Sequence, residues 1–77
     1  MKTESDDFNE AQLYLIENGA PQIMTIRQAA RFSRLSYSNL WRAAHSGALA
    51  ARRVGSPRGP IRISRAALAR YIMAVPV

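Results

Sequence analysis

Apolar side chains recur at helical spacing in four stretches of this chain and alternate with polar ones in a fifth. The clearest signals are central. Thr25 followed by Gln28 is a Thr-x-x-Gln capping box, so a helix should begin at Ile26. Ile26, Ala29, Ala30 and Ser33 then share one narrow face, and Arg27 and Arg31 point to solvent. Ser36 is the next good N-cap. Leu40, Trp41, Ala43 and Ala44 give the following helix an apolar side, and Gly47 is its left-handed stop. Only Arg34 and Leu35 are left to connect the two helices, which must therefore cross, with Leu35 filling the corner. The exposed N-terminal half of the second helix carries Tyr37, Ser38, Asn39 and Arg42.

The flanks complete the pattern. Residues 6–18 place Phe8, Ala11 and Leu15 near helical spacing, with Leu13 or Ile16 as further candidates. Acids in the first turn suit the helix dipole, and Asn18-Gly19 is a stop. This short N-terminal helix is a protein-contact element, a flap over the basic remainder of the chain, or a partly frayed end. Ala20-Pro21 breaks the chain, and Met24 occupies the position that staples onto the helix at 26. After Gly47 the period changes to two. Val54, Ile61 and Ile63 alternate with Arg53 and Arg62, while Gly55, Ser56, Pro57, Gly59 and Pro60 crowd between them, predicting a short antiparallel hairpin with Arg58 at its tip. Ser64 caps a last helix from Arg65 to about Val75, whose Leu68, Tyr71, Ile72 and Val75 should cover the core before Pro76 ends it. The expected fold is α+β, mostly α: helix, turn, helix, two-stranded wing and C-terminal helix, preceded by a short N-terminal helix. Residues 1–20 form the acidic segment and residues 21–77 the domain proper.

Charge changes the picture more than composition does. The net charge of +6 hides a segregation, because all five acidic residues lie in the first 17 with only Lys2 against them, leaving −4 on residues 1–20. Residues 21–77 hold ten arginines and no acidic side chain, a charge of +10. Solvated charge faces normally mix signs, so a stretch of one sign this long points to a polyanion such as nucleic acid. Length bounds the rest: 77 residues make one small domain that buries only about 60 % of its chain surface. The absence of cysteine removes disulfides, thiolate zinc sites and thiol nucleophiles, and the lone His45 cannot build a metal site unaided. No cofactor is expected. An acidic, polar N-terminus and the lack of a long apolar run predict neither a signal peptide nor a membrane span, and a cytoplasmic setting. Gly55 to Gly59 lacks the Lys-Ser/Thr of a phosphate-binding loop.

Taken alone, the central pair of helices also describes an αα-hairpin in any small helical domain. The arginine field favours the DNA-binding reading, in which side chains of the second helix meet base edges and phosphates and Arg58 enters a minor groove. For Arg58 the plain alternative is a solvated turn.

The string TIRQAARF, Ser36-x-Ser38, Leu40-Trp41-Arg42, Ser46-Gly47-x-Leu49, Arg53-Val54-Gly55 and LARYI resembles the excisionase family, small winged helix-turn-helix proteins related to MerR-type regulators, from about Thr25 to Ile72. The resemblance implies a second helix in the major groove and a wing in the minor groove. Many phage members of that family act with an integrase as recombination directionality factors. It also implies Tyr37, Ser38, Asn39 and Arg42 in the major groove and Arg58 in the wing; Arg27, Arg34, Arg52, Arg53 and Arg62 complete the expected DNA-binding set. Two positions depart from the family pattern. Arg34 stands where a turn glycine is usual, so it must accept the turn conformation, and Tyr37 stands where Arg or Lys is common.

The function expected is that of an architectural, sequence-specific DNA-binding protein without an active site. It binds and bends phage attachment-site DNA, recruits an integrase of tyrosine or serine type and associates with itself along the DNA. The alternative within the same fold is a small MerR-like transcriptional regulator. An enzyme is not expected: His45 has no carboxylate partner in residues 21–77, and 77 residues cannot supply a recombinase's catalytic domain. A membrane-surface role for the last helix conflicts with the core's need for its apolar stripe.

Overall fold

The computed structural model describes residues 4–74. In chain order the elements are α1 (Glu4–Glu17), β1 (Ile23–Met24), α2 (Ile26–Ser33), α3 (Tyr37–Ser46), β2 (Arg52–Arg53), β3 (Ile61–Ser64) and α4 (Arg65–Ala74). The local signals produce the local structure. The Thr25 hydroxyl accepts from the Gln28 amide and the Gln28 side chain accepts from the Thr25 amide, each at 3.0 Å, so α2 starts on both halves of the capping box. Ser36 Oγ accepts from the Asn39 amide at 3.2 Å and Ser64 Oγ from the Ala67 amide at 3.0 Å, opening α3 and α4. Val75 and Pro76, expected at the end of α4, lie outside the described residues.

The connection between α2 and α3 is as tight as two spare residues require. Arg34 adopts the left-handed conformation (φ 61°, ψ 21°), the one described non-glycine residue at positive φ. That conformation costs an L-residue roughly 1–2 kcal/mol, so a glycine-like turn is made here without glycine. Leu35 packs half-buried against the core at the corner. α3 ends on Gly47 at φ 89°, after which the Leu49 amide donates to the Ala43 carbonyl at 3.0 Å and Leu49 is buried.

A third strand joins the expected hairpin. β1 pairs antiparallel with β3, Met24 opposite Ile63 and Ile23 opposite Ser64, and β2 pairs with the other edge of β3, giving the order β1-β3-β2. Two residues are too short to show a period; Met24, at the position before the Thr25 cap, is also a strand residue, and its side chain is buried in the cluster that holds Ala29. In the wing, the Val54 amide donates to the Pro60 carbonyl (3.0 Å) and the Gly59 amide to the Ser56 carbonyl (2.9 Å). A Cβ at Gly59 would run into the Val54 carbonyl, so the turn can close only on glycine there.

The charge boundary at residue 20 is not a boundary of the core. α1 is a 14-residue helix that packs on α4 through Phe8, Ala11 and Leu15, and Leu15 joins Met24, Leu40, Leu49, Ile63 and Leu68 among the fully buried side chains. α1 closes with a Schellman motif: the Gly19 amide donates to Ile16 O and the Ala20 amide to Leu15 O, both at 2.9 Å, with Ala20 and Leu15 buried together. α4 buries Ala67, Leu68 and Ala69 in the same core. Arg70 lies over the Phe8 ring at 5.2 Å. Leu13 and Ile16 instead face outward.

Leu15→Ala should therefore cost about 2–5 kcal/mol in urea unfolding, whereas Leu13→Ala, at an exposed position of the same helix, should stay within about 0.5 kcal/mol. Equal midpoints for the two variants would mean that α1 is not docked.

Candidate nucleic-acid interface

α3 is held by Leu40 and Ala43, which are buried, and by Ala44, which packs half-buried against the core. With these on the inner side, helical geometry projects Ser38, Arg42 and His45 from the middle of the outer face, sets Trp41 and Asn39 on its two flanks and leaves Tyr37 beside the apolar side. All six are exposed. Arg42 Nε reaches back toward the Ser38 carbonyl at 3.5 Å, a weak contact that leaves its outer nitrogens available for an acceptor.

A groove of about 550 Å³ runs between α3 and the wing. Arg27, Tyr37, Trp41, His45 and Arg53 line it, with Gly59 and Pro60 on the wing side. Arg27 enters from the start of α2, its guanidinium 5.9 Å from the Tyr37 ring centroid. Arg53 spans the wing, Nη1 donating to the Gly59 carbonyl at 3.1 Å, so this arginine braces the turn as well as charging the groove. Arg58 is exposed on the turn between β2 and β3, and Arg34 is exposed at the turn between the helices.

The other two expected arginines lie outside this groove, although Arg52 lines a smaller hollow with Ala44, His45 and Arg53. Arg52 and Arg62 are directly opposed across β2 and β3, one residue out of step with Arg53 and Ile61, so they belong to the opposite face of the sheet. There they border a second groove, of about 610 Å³, with Ile23, Val54, Leu49 and Arg70. Arg62 is half-buried and donates from Nη1 to the Ile61 carbonyl at 2.9 Å. Hydrophobic alternation marked the wing but did not say which arginines share a face with α3.

Two residues of the α3 face were not expected in it. Trp41, grouped with the inner apolar side, is 45 % exposed and stacks on His45 with ring centroids 3.8 Å apart and planes 25° apart. His45 Nδ1 lies 2.8 Å from the Trp41 carbonyl, an acceptor, so that nitrogen carries the hydrogen and Nε2 faces outward. The signal was present in the sequence: Tyr37, Trp41 and His45 recur every fourth residue and form one aromatic stripe beside the apolar one.

The acidic residues sit on the helix packed against α4, and no helix among the described residues is long and apolar enough to cross a membrane. A helix crossing a tight turn into a second helix with an exposed polar face, beside a charged wing, is a DNA-binding arrangement. No curated protein and no solved structure matches the chain. A family model for the helix-turn-helix domain matches residues 23–75, from the first residue of β1 through α4, leaving α1 outside. The chain belongs to this helix-turn-helix domain family, which includes excisionase-like DNA-binding proteins.

Proposed function

We propose that the protein is a phage excisionase: it binds attachment-site DNA, bends it and promotes integrase-mediated excision, without catalytic chemistry of its own. The observation that carries this reading is the pairing of α3 and the wing on either side of one arginine-lined groove. With α3 in a major groove and Arg58 in the adjacent minor groove, the groove between them takes the intervening phosphate strand, held by Arg27 and Arg53. Ser38, Arg42 and Asn39 then face base edges.

So small a reader covers little DNA, and specificity requires several copies or a partner. The back of the sheet offers a surface for that purpose. Arg52, Arg62 and Arg70 border an apolar groove there, and the outer face of α1, with Leu13, Ile16 and Glu17, offers apolar and acidic groups to match. A head-to-tail contact of this kind does not close on itself, so it propagates along adjacent sites. Repeated insertion of Arg58 into minor grooves on one side of the duplex curves it, at an elastic cost of order 1–6 kcal/mol offset by the added contacts.

The decisive experiment is excision of a phage attachment-site plasmid by the cognate integrase with and without the protein. Stimulated excision supports the reading; binding to a promoter with no effect on excision supports a small MerR-like regulator instead.

Neutralisation of about six phosphates predicts that binding falls about a thousandfold between 50 and 200 mM salt, measured by fluorescence anisotropy; a flat salt response removes the electrostatic basis. Arg42→Ala should cost roughly 1–3 kcal/mol on the preferred site and little on random DNA, whereas Arg27→Ala should weaken both alike. Identical effects of the two substitutions on both DNAs would mean that α3 does not read bases. Replacing Arg52 and Arg62 together by alanine should spare single-site binding but remove cooperative occupancy of tandem sites and the bend read by circular-permutation gel shift. Loss of single-site binding in that variant would place the back of the sheet on the DNA.

A further inference from the structure

We infer that Trp41 is a specificity-determining residue that reads the 5-methyl group of thymine. This rests on the reading of α3 as a major-groove helix. Trp41 lies on the flank of α3 that turns toward the wing, where it lines both the groove that faces the wing and a smaller hollow shared with Tyr37, Ser38 and Arg42. It is the chain's single tryptophan, and close to half of its surface is open to water.

The ring is also held in place before any ligand arrives. One face rests on the His45 imidazole, and that imidazole is tied through Nδ1–H to the carbonyl of Trp41 itself. Next along the stripe, the Tyr37 ring is within 5.9 Å of the Arg27 guanidinium. An indole fixed in this way loses little rotamer freedom on binding, and lost rotamer freedom is a large part of what an interface costs.

The chemistry of the ring then selects what it meets. Except for Nε1–H, the indole offers only apolar surface. Among the groups that base pairs present in the major groove, the thymine 5-methyl is the apolar one; the others are hydrogen-bond donors and acceptors that would lose water against an indole without gaining a partner. Contact between indole and methyl removes apolar surface of both from water. On the scale of one buried methyl group, a thymine should be preferred over uracil, which has the same hydrogen-bonding edge without the methyl, by about fourfold. In this arrangement Trp41 and Arg42 divide the work, one reading a methyl and the other an acceptor on a neighbouring base.

The test uses duplexes selected from a random pool by the full chain, with each thymine in turn replaced by deoxyuridine. The wild-type protein should lose about fourfold in affinity at one or two thymine positions and nothing at the rest. Trp41→Ala should bind with the same salt dependence but no thymine-over-uracil preference at those positions, while Trp41→Phe should retain part of it. Circular dichroism checks that the exposed substitution leaves the fold intact. Because the chain has one indole, its emission should also change on adding selected duplex. Binding that is indifferent to every deoxyuridine substitution, or a Trp41→Ala variant that keeps the preference, overturns the inference while leaving DNA binding standing. Failure of the wild-type chain to bind any duplex overturns both.

Discussion

A single shared core governs this molecule. Six fully buried large side chains come from six different places: Leu15 from α1, Met24 from β1, Leu40 from α3, Leu49 from the loop after it, Ile63 from β3 and Leu68 from α4. α2 contributes the equally buried Ala29 together with Ile26, and its small face lets α3 cross closely. Among the described residues this is one cluster, so each element is held chiefly by the few side chains it adds to it. The orientation of α3, and with it the whole polar face, therefore depends on Leu40 and Ala43.

The fold and the charge are built from different residues. Among the described arginines, Arg65 is tied most closely into the framework: Nη1 donates to the Ala20 carbonyl at 3.2 Å, and its amide donates to the Gln22 carbonyl at 2.8 Å. These bonds join the start of α4 to the segment between α1 and β1. Its Nε is buried without a partner, a strain accepted at a junction of three elements. Arg27, Arg34, Arg42 and Arg58 are exposed, which frees the surface to carry charge of one sign.

Much of this was legible in the sequence wherever the cause is local. The Thr25–Gln28 box, the Ser36 and Ser64 caps and the Asn18-Gly19 stop all follow from groups within a few residues of each other, and all are in the structure; the turn conformation of Arg34, implied by the family resemblance, is there too. What escaped depends on distant partners. β1 exists because β3 offers it an edge, Arg52 and Arg62 are out of step with Arg53 because register puts them opposite each other, and α1 is part of the core because Leu15 finds its partners in distant elements. Trp41 groups with Leu40, Ala43 and Ala44 by apolar character, but only Leu40 and Ala43 are buried and Trp41 is left 45 % exposed on the flank of the helix. The candidate interface was thus readable as a list of residues but not as a surface.

The docking of α1 has a further physical consequence. Every carboxylate side chain of the protein is carried on a helix that Leu15 fixes to α4, while the arginines are spread over the elements that follow. The charge separation is therefore rigid, and the molecule behaves as a permanent electric dipole. In the field of a polyanion such a body experiences a torque before it makes contact, which turns α1 outward and brings the arginine-bearing elements to the front. Orientation is then partly settled during diffusion, so fewer encounters with a duplex begin the wrong way round.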